Sequence, residues 1–127
     1  MRIALDTNRY TDFWTGDATV VRNIEDADAV YVPFAVLAEL RSGFLNGTRA
    51  AANEQALRGF LKKPGVHVLM PDEDTTVQYA TVSQQLRKQG TPIPINDVWI
   101  AALALQHGLT LYARDRHFDH IPQLIRM

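Results

Sequence analysis

Short apolar runs alternate along this chain with longer stretches that have helical spacing. Arg2 to Leu5 is a brief apolar run that stops at Asp6-Thr7-Asn8, the pattern of a buried strand ending in a polar turn. From there to about Ala27 the spacing is helical and breaks once, at Thr15-Gly16-Asp17. Asp28 to Val32 reads as a second strand, closed by Pro33. Phe34 to Phe44 is a predicted helix ending near Gly43 or Gly47. Thr48 to Lys63 is another, rich in Ala, Leu, Gln and Arg and stopped by Pro64-Gly65. Val66 to Met70 is a third strand. Asp72-Glu73-Asp74 places acids in the first turn of a helix that runs to Lys88 and closes at Gly90. Thr91 to Ile95 holds two prolines and is expected as a loop. Asn96 is the expected N-cap of a helix from Asp97 to about His107, ended by Gly108. Leu109 to Ala113 is a fourth strand, followed by a turn at Asp115 to His120 and a final strand around Leu124 to Arg126.

Strands that alternate with helices along the whole length imply a parallel sheet covered on both faces. There is no internal repeat and no linker, so residues 1–127 are expected as one α/β domain. With 46% hydrophobic and 21% charged residues, disorder is excluded as an overall description. Thirteen basic against fourteen acidic residues give a net charge of −1, which excludes a polybasic binder but not a local basic face. Absence of cysteine removes disulfides, thiolate metal sites and Cys nucleophiles. Ile3-Ala4-Leu5 is too short for a signal-peptide core, and the apolar stretch from Val98 to Leu105 is too short to span a bilayer. A cytoplasmic protein with no membrane segment is the expectation.

In open parallel sheets the functional crevice lies at the carboxyl ends of the strands. Asp6 directly follows the first strand and Asp115 follows the fourth, so both belong to one edge. Glu39 sits on a helical stripe of small and apolar neighbours, Ala35, Val36, Ser42 and Gly43, where a carboxylate needs a partner. Asp97 opens a helix that is hydrophobic nearly all round and must be buried. Taken singly, Asp6 reads equally as a turn or N-cap residue, Asp97 as a dipole-complementing acid, and Asp115 as a solvated partner of Arg116. Taken together they bring four acids to one rim, and no Lys or His is spaced to neutralise them all. At close range each like-charged pair costs on the order of 4 kcal/mol at an effective dielectric of 20. Divalent cations remove that cost, and oxygen-only ligation points to Mg²⁺ or Mn²⁺.

The same segments resemble the PIN-domain nucleases, and among them the VapC-type toxins, nearly end to end. Ile3-Ala4-Leu5-Asp6-Thr7-Asn8 looks like the family's first motif and Val36 to Gly43 is similar to the second. Asn96-Asp97-Val98-Trp99-Ile100-Ala101-Ala102 resembles the third, and Leu109 to Phe118 the fourth. Ala113 departs from the family's usual Thr or Ser. The resemblance implies a three-layer α/β/α fold around a central parallel sheet of four to five strands. It implies an acidic metal site at Asp6, Glu39, Asp97 and Asp115. It further implies endonucleolytic cleavage of RNA, a cognate antitoxin that blocks the site, and a homodimer.

Ions held by Asp6, Glu39 and Asp97 would activate a water and stabilise phosphoryl charge, with Asp115 on a second ion or on the attacking water. Thr7 and Asn8 stand beside Asp6 and suit either a hydrogen bond to a ligand or phosphate, or plain turn chemistry. Ten of the thirteen basic residues are Arg, and Arg9, Arg41, Arg114 and Arg116 lie near the motifs as RNA contacts or as solvated charge. His117, Asp119 and His120 form a loose metal-like spacing that reads first as surface. Tyr10, Phe13 and Trp14 read as packing, onto the sheet or onto a partner. A nuclease of RNA maturation fits the same residues. A phosphorylatable receiver wants an acidic pair after its first strand and a Lys after its last, and neither is present. An Asp-x-Asp phosphatase fails at Asn8.

Overall fold

A computed structural model describes residues 1–127. Four parallel strands form its sheet: β1 (Arg2–Leu5), β2 (Ala29–Pro33), β3 (Val66–Leu69) and β4 (Thr110–Tyr112), in the order β3-β2-β1-β4. β1 lies inside, with Ile3 paired to Val30 on one side and to Thr110 on the other. Its Ile3, Ala4 and Leu5 are almost fully buried, as a strand covered on both faces requires. The helices are α1 (Thr7–Trp14), α2 (Ala18–Asp26), α3 (Phe34–Asn46), α4 (Ala50–Leu61), α5 (Glu73–Gln89) and α6 (Ile95–Gln106).

The chain steps outward from β1 to β2 to β3, then returns past β1 to lay down β4. Right-handed crossovers put α1 to α4 on one face, and the reversal puts α5 and α6 on the other. The result is the three-layer α/β/α arrangement. The reversal also makes the gap between β1 and β4 the switch point of the sheet, where two neighbouring strands diverge and leave a crevice at their carboxyl ends.

Helix limits follow local chemistry. Asp72 caps α5, accepting the Thr75 backbone N–H while the Thr75 hydroxyl accepts the Asp72 N–H, and Gly90 closes that helix in the left-handed conformation at φ 72°. Two expectations are corrected. Pro94, not Asn96, is the N-cap residue of α6, because its extended backbone and missing N–H suit the position before the first turn. The expected fifth strand reduces to a single bridge between Leu111 and Arg126, so the sheet has four strands. The tail is held by backbone, with the Leu111 N–H donating to the Ile125 carbonyl at 2.8 Å and the Met127 N–H to the Leu111 carbonyl at 3.1 Å, and also by side chains. Phe118 and Ile121 are buried in the core, and Arg126 Nη2 donates to the carbonyls of Ala113 and Asp115 at 2.9 and 3.0 Å. That guanidinium fixes the path of the chain where it leaves β4.

Tyr10 and Phe13 of α1 meet Phe60 of α4 edge to face, at 5.3 and 5.1 Å between ring centroids. They are packing residues, as expected. Trp14 is different: it is 57% exposed.

Candidate metal centre

The Asp6 N–H donates to the Tyr112 carbonyl at 3.1 Å, so Asp6 stands where β1 and β4 part. It occupies the N-cap position of α1, yet its side chain makes no capping hydrogen bond and is turned to other use. The residue is only 5% exposed. Glu39 comes from the middle of α3, where Ala35, Val36 and Leu40 anchor the helix in the core and bring the carboxylate to the crevice. Its Oε2 accepts from the Thr7 hydroxyl at 3.3 Å. Its Oε1 is buried and has no hydrogen-bond partner at all.

Asp97 lies in the first turn of α6, whose body from Val98 to Ala104 is buried apart from the half-buried Trp99. Asp115 caps a short 3-10 helix, Arg116–His120, and accepts the His117 backbone N–H at 2.9 Å. The His117 ring joins the two acids: its Nδ1 lies 2.8 Å from Asp97 Oδ2 and 3.1 Å from Asp115 Oδ1. Asp115 thus takes its support from His117.

The four carboxylates lie close enough that their charges shift the ionisation of Asp6, Glu39 and Asp97. Burial pushes the Asp6 carboxyl up to about 6, and the charges of Asp97, Glu39 and Asp115 add to the rise against the Thr7 N–H. Burial likewise raises Glu39, with Asp97 and Asp115 adding to it while Thr7 and Asn96 pull it back. Asp97 is raised by burial and by Asp115, and held down by His117. His117 is itself raised, first by its hydrogen bond to Asp97. Charge crowding of this kind persists in a fold only where something offsets it.

A divalent cation fits these donors. They are hard oxygens, one buried carboxylate oxygen of Glu39 lacks any partner, and Asp6 is buried with no cationic side chain against it. Asp97, Asp115 and His117 also present ligand atoms that all lie within 4.8 Å of one another.

The sequence profile of the PIN domain matches residues 3–124. The chain belongs to the PIN-domain family. This PIN domain is 30% identical to Ribonuclease VapC4 of Mycobacterium tuberculosis over 93 residues, which cover 73% of this chain and 72% of the relative. Its fold superposes on VapBC2 from Rickettsia felis, solved bound to a promoter DNA fragment, with a TM-score of 0.88 and 25% identity. That match covers 100% of this chain and 98% of the other. VapBC-1 from nontypeable Haemophilus influenzae also gives a TM-score of 0.88, at 26% identity and covering 100% and 97% of the two chains. The family match decides against a receiver domain.

Around this site the remaining expected residues separate. Thr7 reaches the centre through Glu39. Asn8 is exposed on α1. Arg114 is more than half exposed and pairs with Asp12 at 3.3 Å, as does Arg9, whose guanidinium also lies 4.7 Å from the centre of the Tyr112 ring. Arg41 is drawn away by Glu54, with two hydrogen bonds of 3.0 Å. His117, expected as a structural or surface residue, is indeed largely exposed, but its ring also stands between two acids. Asp119 pairs instead with Arg126, and His120 is exposed and lends its carbonyl to Gln89.

Proposed function

We propose that this PIN domain, residues 1–127 acting as one unit, is a divalent-metal-dependent endoribonuclease and the toxin of a VapBC-type toxin–antitoxin pair. It works in the cytoplasm as a homodimer, with Mg²⁺ or Mn²⁺ as cofactor. The observation that carries the reading is the buried, unneutralised Asp6 set among three further carboxylates at the switch point of the sheet. The family match and the relatives named ribonuclease support it.

Asp6, Glu39 and Asp97 would hold the ion, with Asp115 on a second ion or on the attacking water. A bound divalent ion supplies charge for the phosphoryl oxygens and lowers the pKa of the water. The chain's own contribution is positioning. Thr7 fixes the rotamer of Glu39, and His117 fixes Asp97 and Asp115. Asp12 holds Arg9 and Arg114 side by side, in a pair suited to RNA phosphates on either side of the scissile bond. Asn8 offers an exposed amide beside them.

Purified protein is expected to cleave total RNA in Mg²⁺ or Mn²⁺ and to lose that activity in EDTA. Undiminished cleavage in EDTA by a preparation free of contaminating nuclease refutes the metal mechanism.

A preassembled site cannot be silenced by the fold, so a partner must cover it. A basic side chain supplied by an antitoxin would pair with Asp6, Glu39 or Asp97 and compete with the ion by mass action. Exposed Trp14 offers that partner an apolar anchor. Expression of the chain alone is expected to arrest growth, with rescue by a co-expressed neighbouring antitoxin and no arrest by Asp97→Asn. Arrest by that variant disconnects toxicity from cleavage. No arrest by soluble, metal-binding wild type favours a role in RNA maturation.

A further inference from the structure

His117 lies inside the fourth motif segment, yet it is not one of the four acids of the candidate site. Its Nδ1 faces two carboxylates from different elements, Asp97 on α6 and Asp115 at the head of the 3-10 helix. Two constraints aim it there. Asp115 binds the His117 backbone N–H, which fixes the start of the 3-10 helix, and the neighbouring Phe118 is fully buried, which fixes its rotation. The ring therefore does not reach the acids by chance of an exposed rotamer, although its side chain is 45% exposed.

We infer that His117 is a nitrogen ligand of the metal centre, binding through Nδ1 beside Asp97 and Asp115, and that it biases the centre toward Mn²⁺ over Mg²⁺. This rests on the metal-centre reading above and extends it to the identity of the ion.

The separations support ligation. In an octahedral site with bonds of about 2.1 Å, adjacent ligand atoms stand about 3.0 Å apart. The two nitrogen–oxygen distances of 2.8 and 3.1 Å are adjacent edges of that size. One N–H cannot donate fully to two carboxylates, whereas one ion bonds all three atoms at once. On binding, Nδ1 gives its proton to solvent and its lone pair to the ion. The chemistry of the donors supports the selectivity. Mg²⁺ is a hard ion that takes oxygen and keeps water, while imidazole favours transition ions and carboxylates still suit Mn²⁺. A mixed set of two carboxylates and one imidazole therefore costs Mg²⁺ more than it costs Mn²⁺. A His that served only as a hydrogen-bond donor to the acids would favour neither ion.

Pulsed electron paramagnetic resonance on the full chain loaded with Mn²⁺ reads this directly. Wild type is expected to show nitrogen coupling to the ion, and His117→Ala and His117→Gln to lose it while still binding Mn²⁺. Calorimetric titration should show the Mn²⁺ affinity of both variants reduced about 10–100-fold, with Mg²⁺ affinity much less affected, so that the preference narrows. The Gln variant keeps a hydrogen-bond donor, so it separates ligation from hydrogen bonding. Mn²⁺ bound without nitrogen coupling in wild type, or coupling that survives both substitutions, overturns the inference and leaves the carboxylate centre standing. No Mn²⁺ binding that depends on Asp6 or Asp97 overturns the metal centre itself, and the inference with it.

Discussion

Asp6→Asn is expected to reduce RNA cleavage by at least about 10³-fold, since a bound ion contributes several kcal/mol of charge stabilisation in the transition state. Asp6 is the most buried of the four acids, and it feels the charge of the other three. The amide keeps the shape of the side chain and the Asp6 N–H to Tyr112 carbonyl bond, so β1 and β4 stay paired. What goes is the charge that draws the ion into the crevice. Cleavage rates measured across a Mn²⁺ and Mg²⁺ titration test this, and wild-type turnover by the variant at saturating ion refutes the assignment. Asp115→Asn is expected to be milder. Its side chain is about a third exposed and already engaged by His117, and positioning of water or of a second ion is more easily replaced.

Metal-free protein is expected to lose stability as the solution is made less acidic. The Asp6 carboxyl has an ordinary value of 3.8 and is raised to about 6 in the fold. Between those values the unfolded chain has released its proton and the folded chain still holds it. Stability therefore falls with rising pH through that window. Glu39 and Asp97 are raised too and act with the same sign. So does His117, whose raised value gives stability below its ordinary range that is lost as the pH passes the folded value. Between about pH 5 and about pH 7.5, Asp6 alone is expected to cost on the order of 1–1.5 kcal/mol. Urea unfolding in EDTA at the two pH values measures it. Asp6→Asn should flatten the difference and make the metal-free protein more stable at the higher pH. Asp97→Asn should gain less, because the charge it removes is also the partner of His117. Mn²⁺ added to wild type at the higher pH should restore stability by mass action. A metal-free protein equally stable at both pH values, with Asp6→Asn no different, contradicts the crowding of charge at the crevice.

The sequence by itself determined most of the fold. The buried runs at Ile3-Ala4-Leu5 and in the body of α6, the acids of the first turn of α5 and the glycine that closes it are local signals. They act through periodicity, capping and backbone conformation, which depend on residues close along the chain. It also singled out Asp6, Glu39, Asp97 and Asp115 as candidates, because they follow strand ends or lie on apolar helices. Other features were decided only by tertiary structure. How far Leu124 to Arg126 pairs as a strand depends on the edge beyond β4, where the tail makes one bridge to Leu111 and is pinned further through Phe118, Ile121 and the Arg126 guanidinium. Arg41 went to Glu54, while Arg9 and Arg114 went to Asp12, choices set by distances across helices. His117 carries no periodicity to mark it. Its role appears only when the reversal of the sheet brings the start of α6 beside the end of β4, placing Asp97 within 2.8 Å of a ring twenty residues further along the chain. Spacing along a chain can propose ligands from separate segments, but their number and angle are fixed by packing, because only the buried core determines how those segments meet.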